Sequence, residues 1–288
     1  MTNTAATKVY QKNYLLKIGI SIFVTFLFLG IVLSIFDIGD TSTRSLKFND
    51  VNVYALIILA SLVGPVLEEV AFRGSFTKKR WWVFVSYAVA ALYIFSVSNY
   101  YLIPLLVIFI ILNELSKKNE ISIYAYIANA MLFSLMHYKF SDLLSISAYP
   151  GILTTCGMTF ILIWMVLNFG LWASMLFHII NNSIVTAIMI LGFEMADKKM
   201  QKVENQNFVM TFQPTSLFNS ESSISLIPNK EVKTTNTTIS AVYTAIDYNA
   251  KPEEVYFGNY NITISAKPGS KRKLNVKDFK ELLDKADL

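Results

Sequence analysis

The sequence has little charge and few of the histidines and cysteines that soluble enzymes use for chemistry. Only 16% of its 288 residues are Asp, Glu, Lys or Arg, and it contains two histidines and one cysteine. So few charges exclude an ordinary soluble domain, in which about a quarter of positions are charged. A lone cysteine, Cys156, can form no internal disulfide, so cysteine usage is silent on compartment; within its apolar run it reads as a small buried hydrophobe. There is no glycine-rich phosphate loop, no internal repeat, no low-complexity tract and no basic-aromatic surface of the kind that binds nucleic acid. The net charge of +5 is modest and reads as a topology signal.

What fills the chain instead is apolar. Hydrophobic residues make up 54%, the mean hydropathy is +0.46, and nearly all the long uncharged runs lie before about residue 193. A helix needs about 20 such residues to cross the bilayer core while satisfying its own backbone. Seven stretches qualify: Tyr14–Phe36, Val51–Phe76, Trp81–Val97, Tyr100–Leu115, Ile121–His137, Gly151–Phe169 and Leu171–Phe193. The third and fourth are short and separated only by Ser98 and Asn99. The first is too long, and lacks the cleavage site, to be a removed signal peptide. The fold class expected is an all-α polytopic membrane bundle with a small C-terminal α+β domain, divided as residues 1–195 and 196–288.

Seven spans put Lys8, Lys12 and Lys17 on the same side as Lys78, Lys79 and Arg80 and as Lys117 and Lys118, and positive charge marks that side as cytoplasmic. Lys198, Lys199 and Lys202, just after the last span, run against this pattern. From about Gln206 the residues alternate polar with β-branched or aromatic, and Asn207–Gln213, Thr237–Ile246 and Val255–Ala266 read as strands. Val276–Ala286 reads as an amphipathic helix with Phe279, Leu282 and Leu283 on one face. With no histidine or cysteine in this domain, binding or docking to a partner is its expected work.

Ionisable groups inside spans cost about 2.5–3.5 kcal/mol each on insertion scales, so a cluster of them points to function. Glu68, Glu69 and Arg73 share the second span; His137 ends the fifth; His178, Asn181 and Asn182 lie in the seventh. Glu69 and Arg73 are four apart and share a helix face, whereas Glu68 is turned by about 100°. His178 and Asn182 are also four apart, with Asn181 turned away. Counting about 1.5 Å per residue from the presumed boundaries places Glu68 and Asn182 about 15 Å deep, and His178 about 9 Å. A blander reading stands beside each. The charged segment can be an interfacial helix end, His137 a boundary residue, and His178 with Asn182 a hydrogen-bonding seam between helices.

Glu-Glu-x-x-x-Arg, then Phe-x-x-x-His, then His-x-x-x-Asn resembles the three motifs of the CAAX prenyl endopeptidase and bacteriocin-processing (CPBP, Abi) family of intramembrane proteases. Here they are Glu68, Glu69 and Arg73; Phe133 and His137; and His178 and Asn182. Gly-Pro-Val-Leu before the glutamates, Phe-Arg-Gly after them and Leu-Trp-Ala before the final histidine extend the likeness over about residues 55–190. The segment Trp81–Leu115 and the C-terminal domain look like additions. The resemblance implies a multi-pass protein of a bacterial plasma membrane, N-terminus in the cytoplasm, that cuts a membrane-associated peptide or protein substrate. It implies Glu68 as the base activating water with His137, Asn182 and His178 as oxyanion donors, and Glu69 with Arg73 in support. No cofactor is expected. Zinc held by Glu68, His137 and His178 is the metal-dependent alternative, and the spacing does not match a His-Glu-x-x-His helix. A non-catalytic membrane scaffold or immunity-type binder is the alternative from another class; the inverted repeats of carriers are missing.

Overall fold

The computed structural model describes residues 3–35, 52–116, 121–227, 231–250, 257–270 and 272–286. The chain divides into two compact units: Met1–Ser45 with Leu59–Ile184, and Leu46–Ile58 with Val185–Leu288. Helices α1 (Asn3–Ile35), α2 (Val53–Ile58), α3 (Gly64–Arg73), α4 (Arg80–Ser96), α5 (Ile103–Leu115), α6 (Ile123–Leu135), α7 (Ala148–Phe169) and α8 (Leu171–Met195) come first. Four stretches are long and apolar enough to cross a membrane: Asn13–Leu33, Val53–Thr77, Ala148–Phe169 and Leu171–Met195. All seven predicted spans are largely helical, but α4, α5 and α6 are shorter. At 13 residues, α6 measures about 20 Å against a core of about 30 Å. Composition marked these three as apolar without showing where each helix stops. Phe36, Val51, Lys117, Lys118 and Val255, named above, lie outside the described residues.

Local chemistry explains the breaks. Between α2 and α3 the backbone widens into a π-helical turn, Leu59–Val63. Pro65 has no N–H to give to the carbonyl four residues back, and Gly64 allows the Leu59 carbonyl so close that a Cβ there would sit 2.9 Å from it. A 3-10 turn, Gly74–Thr77, follows α3, and Lys78 at φ 54° reverses the chain into α4. The Lys78 ammonium donates to the backbone and side-chain oxygens of Asn113 at 2.6 and 2.9 Å, tying this reversal to α5. Burial pushes that ammonium down from its ordinary pKa, against the opposing pull of Glu114.

The core of the first unit is built on Phe72, Phe76, Phe109, Leu132, Phe133 and Ile163. α1 lies on α7 at glycines: a Cβ on Gly157 would be 2.4 Å from the Phe23 nitrogen and 2.8 Å from the Gly19 oxygen. Close approach of two backbones through small residues is how helices associate in lipid, where burial of apolar surface gives no driving force.

In the second unit, β1 (Gln201–Glu204), β2 (Phe208–Thr215), β3 (Ser223–Ile227) and β4 (Glu231–Thr237) are followed by α9 (Ile239–Ile246), β5 (Asn259–Ala266) and α10 (Val276–Lys285). The strands form one antiparallel sheet in the order β1-β2-β5-β4-β3. Alternation buries Phe208, Met210 and Phe212 on β2 and Tyr260, Ile262 and Ile264 on β5. Phe279, Leu282 and Leu283 of α10 close over them. The predicted strand Thr237–Ile246 is corrected. Thr237 ends β4, Thr238 is a cap, and Ile239–Ile246 is α9, whose Ile239, Val242 and Tyr243 are buried at helical spacing. Thr238 caps that helix by accepting from the Ala241 N–H at 3.2 Å, a start signal the polar alternation masked.

Candidate active site

Glu68 and Glu69 are adjacent on α3; turned about 100° apart, they meet at His178 but otherwise take different partners. Glu69 and Arg73 are fully buried. A carboxylate Oε1 of Glu69 lies 3.3 Å from Arg73 Nη1 and 2.9 Å from His178 Nδ1, and the Ser174 hydroxyl donates to its Oε2. Arg73 is also held from two other sides. Its Nη2 donates to Thr159 Oγ1 at 3.1 Å and its guanidinium carbon stands 3.9 Å over the Phe133 ring. The Nη1 contact is an ion pair off the hydrogen-bond direction, since that atom and Nε have no hydrogen-bond partner. Charge proximity and the aromatic face, more than directed bonds, therefore hold Arg73.

Glu68 is 8% exposed. Its Oε1 accepts from the Tyr93 hydroxyl at 3.0 Å, and its Oε2 faces His178 Nε2 across 3.7 Å. That gap is too long for a direct hydrogen bond. A Glu69 carboxylate paired with arginine can only accept, so the Nδ1 of His178 carries a proton and Nε2 is the nitrogen turned to Glu68. His178 is 4% exposed. It thus bridges the two carboxylates, one nitrogen each.

His137 accommodates itself to its own helix end: Nδ1 lies 2.9 Å from the Phe133 carbonyl. The Phe133 ring meets His137 edge-on at 5.0 Å and His178 at 5.9 Å, so one phenyl links both histidines and Arg73. Asn182, one turn past His178, donates to the Ala60 carbonyl in the π-helical turn at 3.2 Å, and Asn181 reaches the Asn182 oxygen at 3.4 Å. The structure thus gathers Glu68, Glu69, Arg73 and His178 into one contact network, joins His137 to it through Phe133, and sets Asn182 against the π turn. Among the described residues no three His, Cys, Asp or Glu side chains are grouped as ligands of one ion.

Sequence reasoning missed Ser174, Thr159 and Tyr93. Ser174, His178 and Asn182 repeat at intervals of four, so extending that stripe back one turn finds the serine. Thr159 bonds back to the Thr155 carbonyl at 3.0 Å, as threonines in apolar helices commonly do, and so gives no separate signal. Tyr93 sits near the end of an apolar helix, where a tyrosine reads as an interfacial aromatic.

No curated protein and no solved structure shows significant similarity to the chain. The family model described as type II CAAX prenyl endopeptidase Rce1-like matches residues 50–184, a stretch that takes in every residue of the network just described. That family supports a CAAX-type intramembrane protease, in agreement with the motifs and the apolar helices. Over residues 50–184 the chain is similar to the Rce1-like type II CAAX prenyl endopeptidase family.

Proposed function

We propose that the protein is an endopeptidase that hydrolyses a peptide bond of a membrane-associated protein or peptide, with Glu68 as the base that takes a proton from water. One observation carries this reading: the two neighbouring glutamates have separate work. Glu69 is committed to Arg73, Ser174 and His178, whereas Glu68 keeps Oε2 towards His178 Nε2 across 3.7 Å. A water between them can give a hydrogen to the carboxylate while its oxygen stays free to attack. As Glu68 takes the proton, the water oxygen adds to the carbonyl carbon and the carbonyl oxygen gains the charge. The same proton then goes to the departing nitrogen as the C–N bond breaks.

Oxyanion donors have to come from groups that can turn to the substrate. The Asn182 amide is one, on leaving the Ala60 carbonyl. Protonated Nε2 of His178 is a second; in the neutral ring that nitrogen accepts instead. His137 shares with Glu68 the holding of water. Glu69 orients His178 as a carboxylate orients an imidazole, and Arg73 supplies the countercharge of Glu69. The mechanism is metal-free in this reading, with activity surviving a strong chelator. The protein is read as a multi-pass protein of a bacterial plasma membrane with a cytoplasmic N-terminus, α4, α5 and α6 completing seven apolar helices, and the sheet unit docks a partner.

Purified protein in detergent, incubated with membrane-proteome extract, should generate new peptide termini. Glu68→Gln should lower their rate of appearance by about 10²–10⁴-fold with the fold intact, while Val66→Gln, one turn-fraction away, should not. Full cleavage by Glu68→Gln would remove Glu68 as the base, and the absence of new termini with the unaltered protein would leave the scaffold reading in place of the peptidase.

A further inference from the structure

Glu68 receives a hydrogen bond from outside all three motifs. The donor, Tyr93, belongs to α4, between the first two motifs. Its ring meets Phe72 edge-on at 6.2 Å, and Phe72 meets Phe133 at 5.3 Å, so the hydroxyl is delivered by a packed aromatic row and is not free to swing. We propose that Tyr93 is the positioning residue for Glu68, fixing which oxygen of the carboxylate meets water. This rests on the reading of Glu68 as the base.

A carboxylate in a site that excludes bulk water can rotate and present either oxygen. With Oε1 occupied by the tyrosine hydroxyl at 3.0 Å, Oε2 is the oxygen left to face His178 Nε2. The hydroxyl also donates to that carboxylate, and in general taking a hydrogen-bond donor away from a carboxylate makes its charge costlier. The groups that act on Glu68 are Tyr93 from α4, His178 from α8, and Glu69 and Arg73 from its own helix, with His137 of the α6 end joined through Phe133. Of these, Tyr93 alone is uncharged at every pH at which the reaction runs. Its removal therefore changes the carboxylate without adding a second titration.

Tyr93→Phe keeps the ring and its contact with Phe72. It should lower kcat/KM about tenfold, mostly in kcat, and move the acidic limb of the pH profile to higher pH by about one unit. The denaturation midpoint in detergent should change little. A purely structural role would lower the midpoint and leave the acidic limb in place. Titration of the Glu68 carboxyl by infrared difference spectroscopy, with the band assigned by its loss in Glu68→Gln, reads the same quantity without any substrate. Here too the midpoint should rise in Tyr93→Phe. If the protein cleaves nothing, the infrared midpoint still tests the tyrosine, so the failure of the peptidase reading and the failure of this one are separable. Should Tyr93→Phe fold poorly, Tyr93→3-fluorotyrosine keeps the ring with a stronger donor, and should move the infrared midpoint in the opposite direction. An unchanged midpoint in both variants overturns the proposal.

Discussion

In the unit that holds the candidate site, the buried polar side chains of the network are committed to one another; in the sheet unit polar side chains alternate with buried apolar ones on β5, and most of those on the strands are at least partly exposed. Glu69, Arg73, Ser174 and Thr159 are all fully buried and joined in one network. On β3, by contrast, all five residues are exposed, serines and aliphatics alike. The difference lies in the solvent each region is built for. In lipid an unpaired charge or amide has no water to fall back on, so a polar residue persists only with a partner. At an aqueous sheet surface a serine or threonine is nearly neutral, and its presence carries little information.

The comparison can be broken most directly at Arg73. Arg73→Met keeps the bulk and removes the charge, leaving Glu69 buried with its countercharge gone. Taking one member from a buried pair costs about 3–5 kcal/mol. Arg73→Lys should not restore the loss, because a compact ammonium cannot reach Thr159 Oγ1 and lie flat over Phe133 together. Denaturation of the detergent-solubilised protein checks both. A fall of less than about 1 kcal/mol in Arg73→Met would mean that the ion pair is dispensable and that the two units obey the same rules.

A smaller effect is expected where helices meet without polar groups. Gly157→Ala would place a methyl 2.4 Å from the Phe23 nitrogen, and the obstacles are backbone atoms that cannot rotate away. α1 must shift on α7, at about 1–3 kcal/mol as for other overpacked positions. Gly192→Ala is the control. Nothing lies within 4 Å of a Cβ there, so the change should be neutral or raise the midpoint through helix propensity alone. Equal losses in the two variants would remove the small-residue seam from the account.

The same contrast decides what could be read from sequence. Glu68, Glu69, Arg73 and His178 were legible because each is expensive in an apolar span and their spacing says which share a face. Helix ends were not. Ser122, which caps the helix by accepting from the Tyr124 N–H, signals its start, but nothing in Ile121–His137 says that it stops at Leu135, so the number of apolar stretches could be read while the number long enough to cross could not. Tyr93 was illegible for another reason. Its partner is 25 residues away on a different helix, and a tyrosine in an apolar run has several ordinary uses. In the sheet unit Asn207–Gln213 and Phe279, Leu282 and Leu283 followed simple periods, but Thr237–Ile246 fits both periods at once: Ile239, Val242 and Ile246 are spaced for a helix, while alternation with Ser240 and Thr244 mimics a strand.

Two adjacent threonines sharpen the comparison at its weakest point. Thr238 caps α9 through the Ala241 N–H, whereas the buried hydroxyl of Thr237, at the end of β4, has no hydrogen-bond partner. Thr238→Ala removes an acceptor from an orphan donor and should cost about 1 kcal/mol. Thr237→Val replaces an unsatisfied hydroxyl with a methyl of similar shape, and should be neutral or stabilising. Amide hydrogen exchange across Ile239–Ile246 in the full-length protein separates them: faster in Thr238→Ala, unchanged or slower in Thr237→Val, and restored by Thr238→Ser. If Thr238→Ala leaves exchange untouched, burial of Ile239, Val242 and Tyr243 holds the helix without its cap. The cap would then be as silent as the hydroxyl beside it, and polar residues in this unit would carry even less structural weight than their spacing suggests.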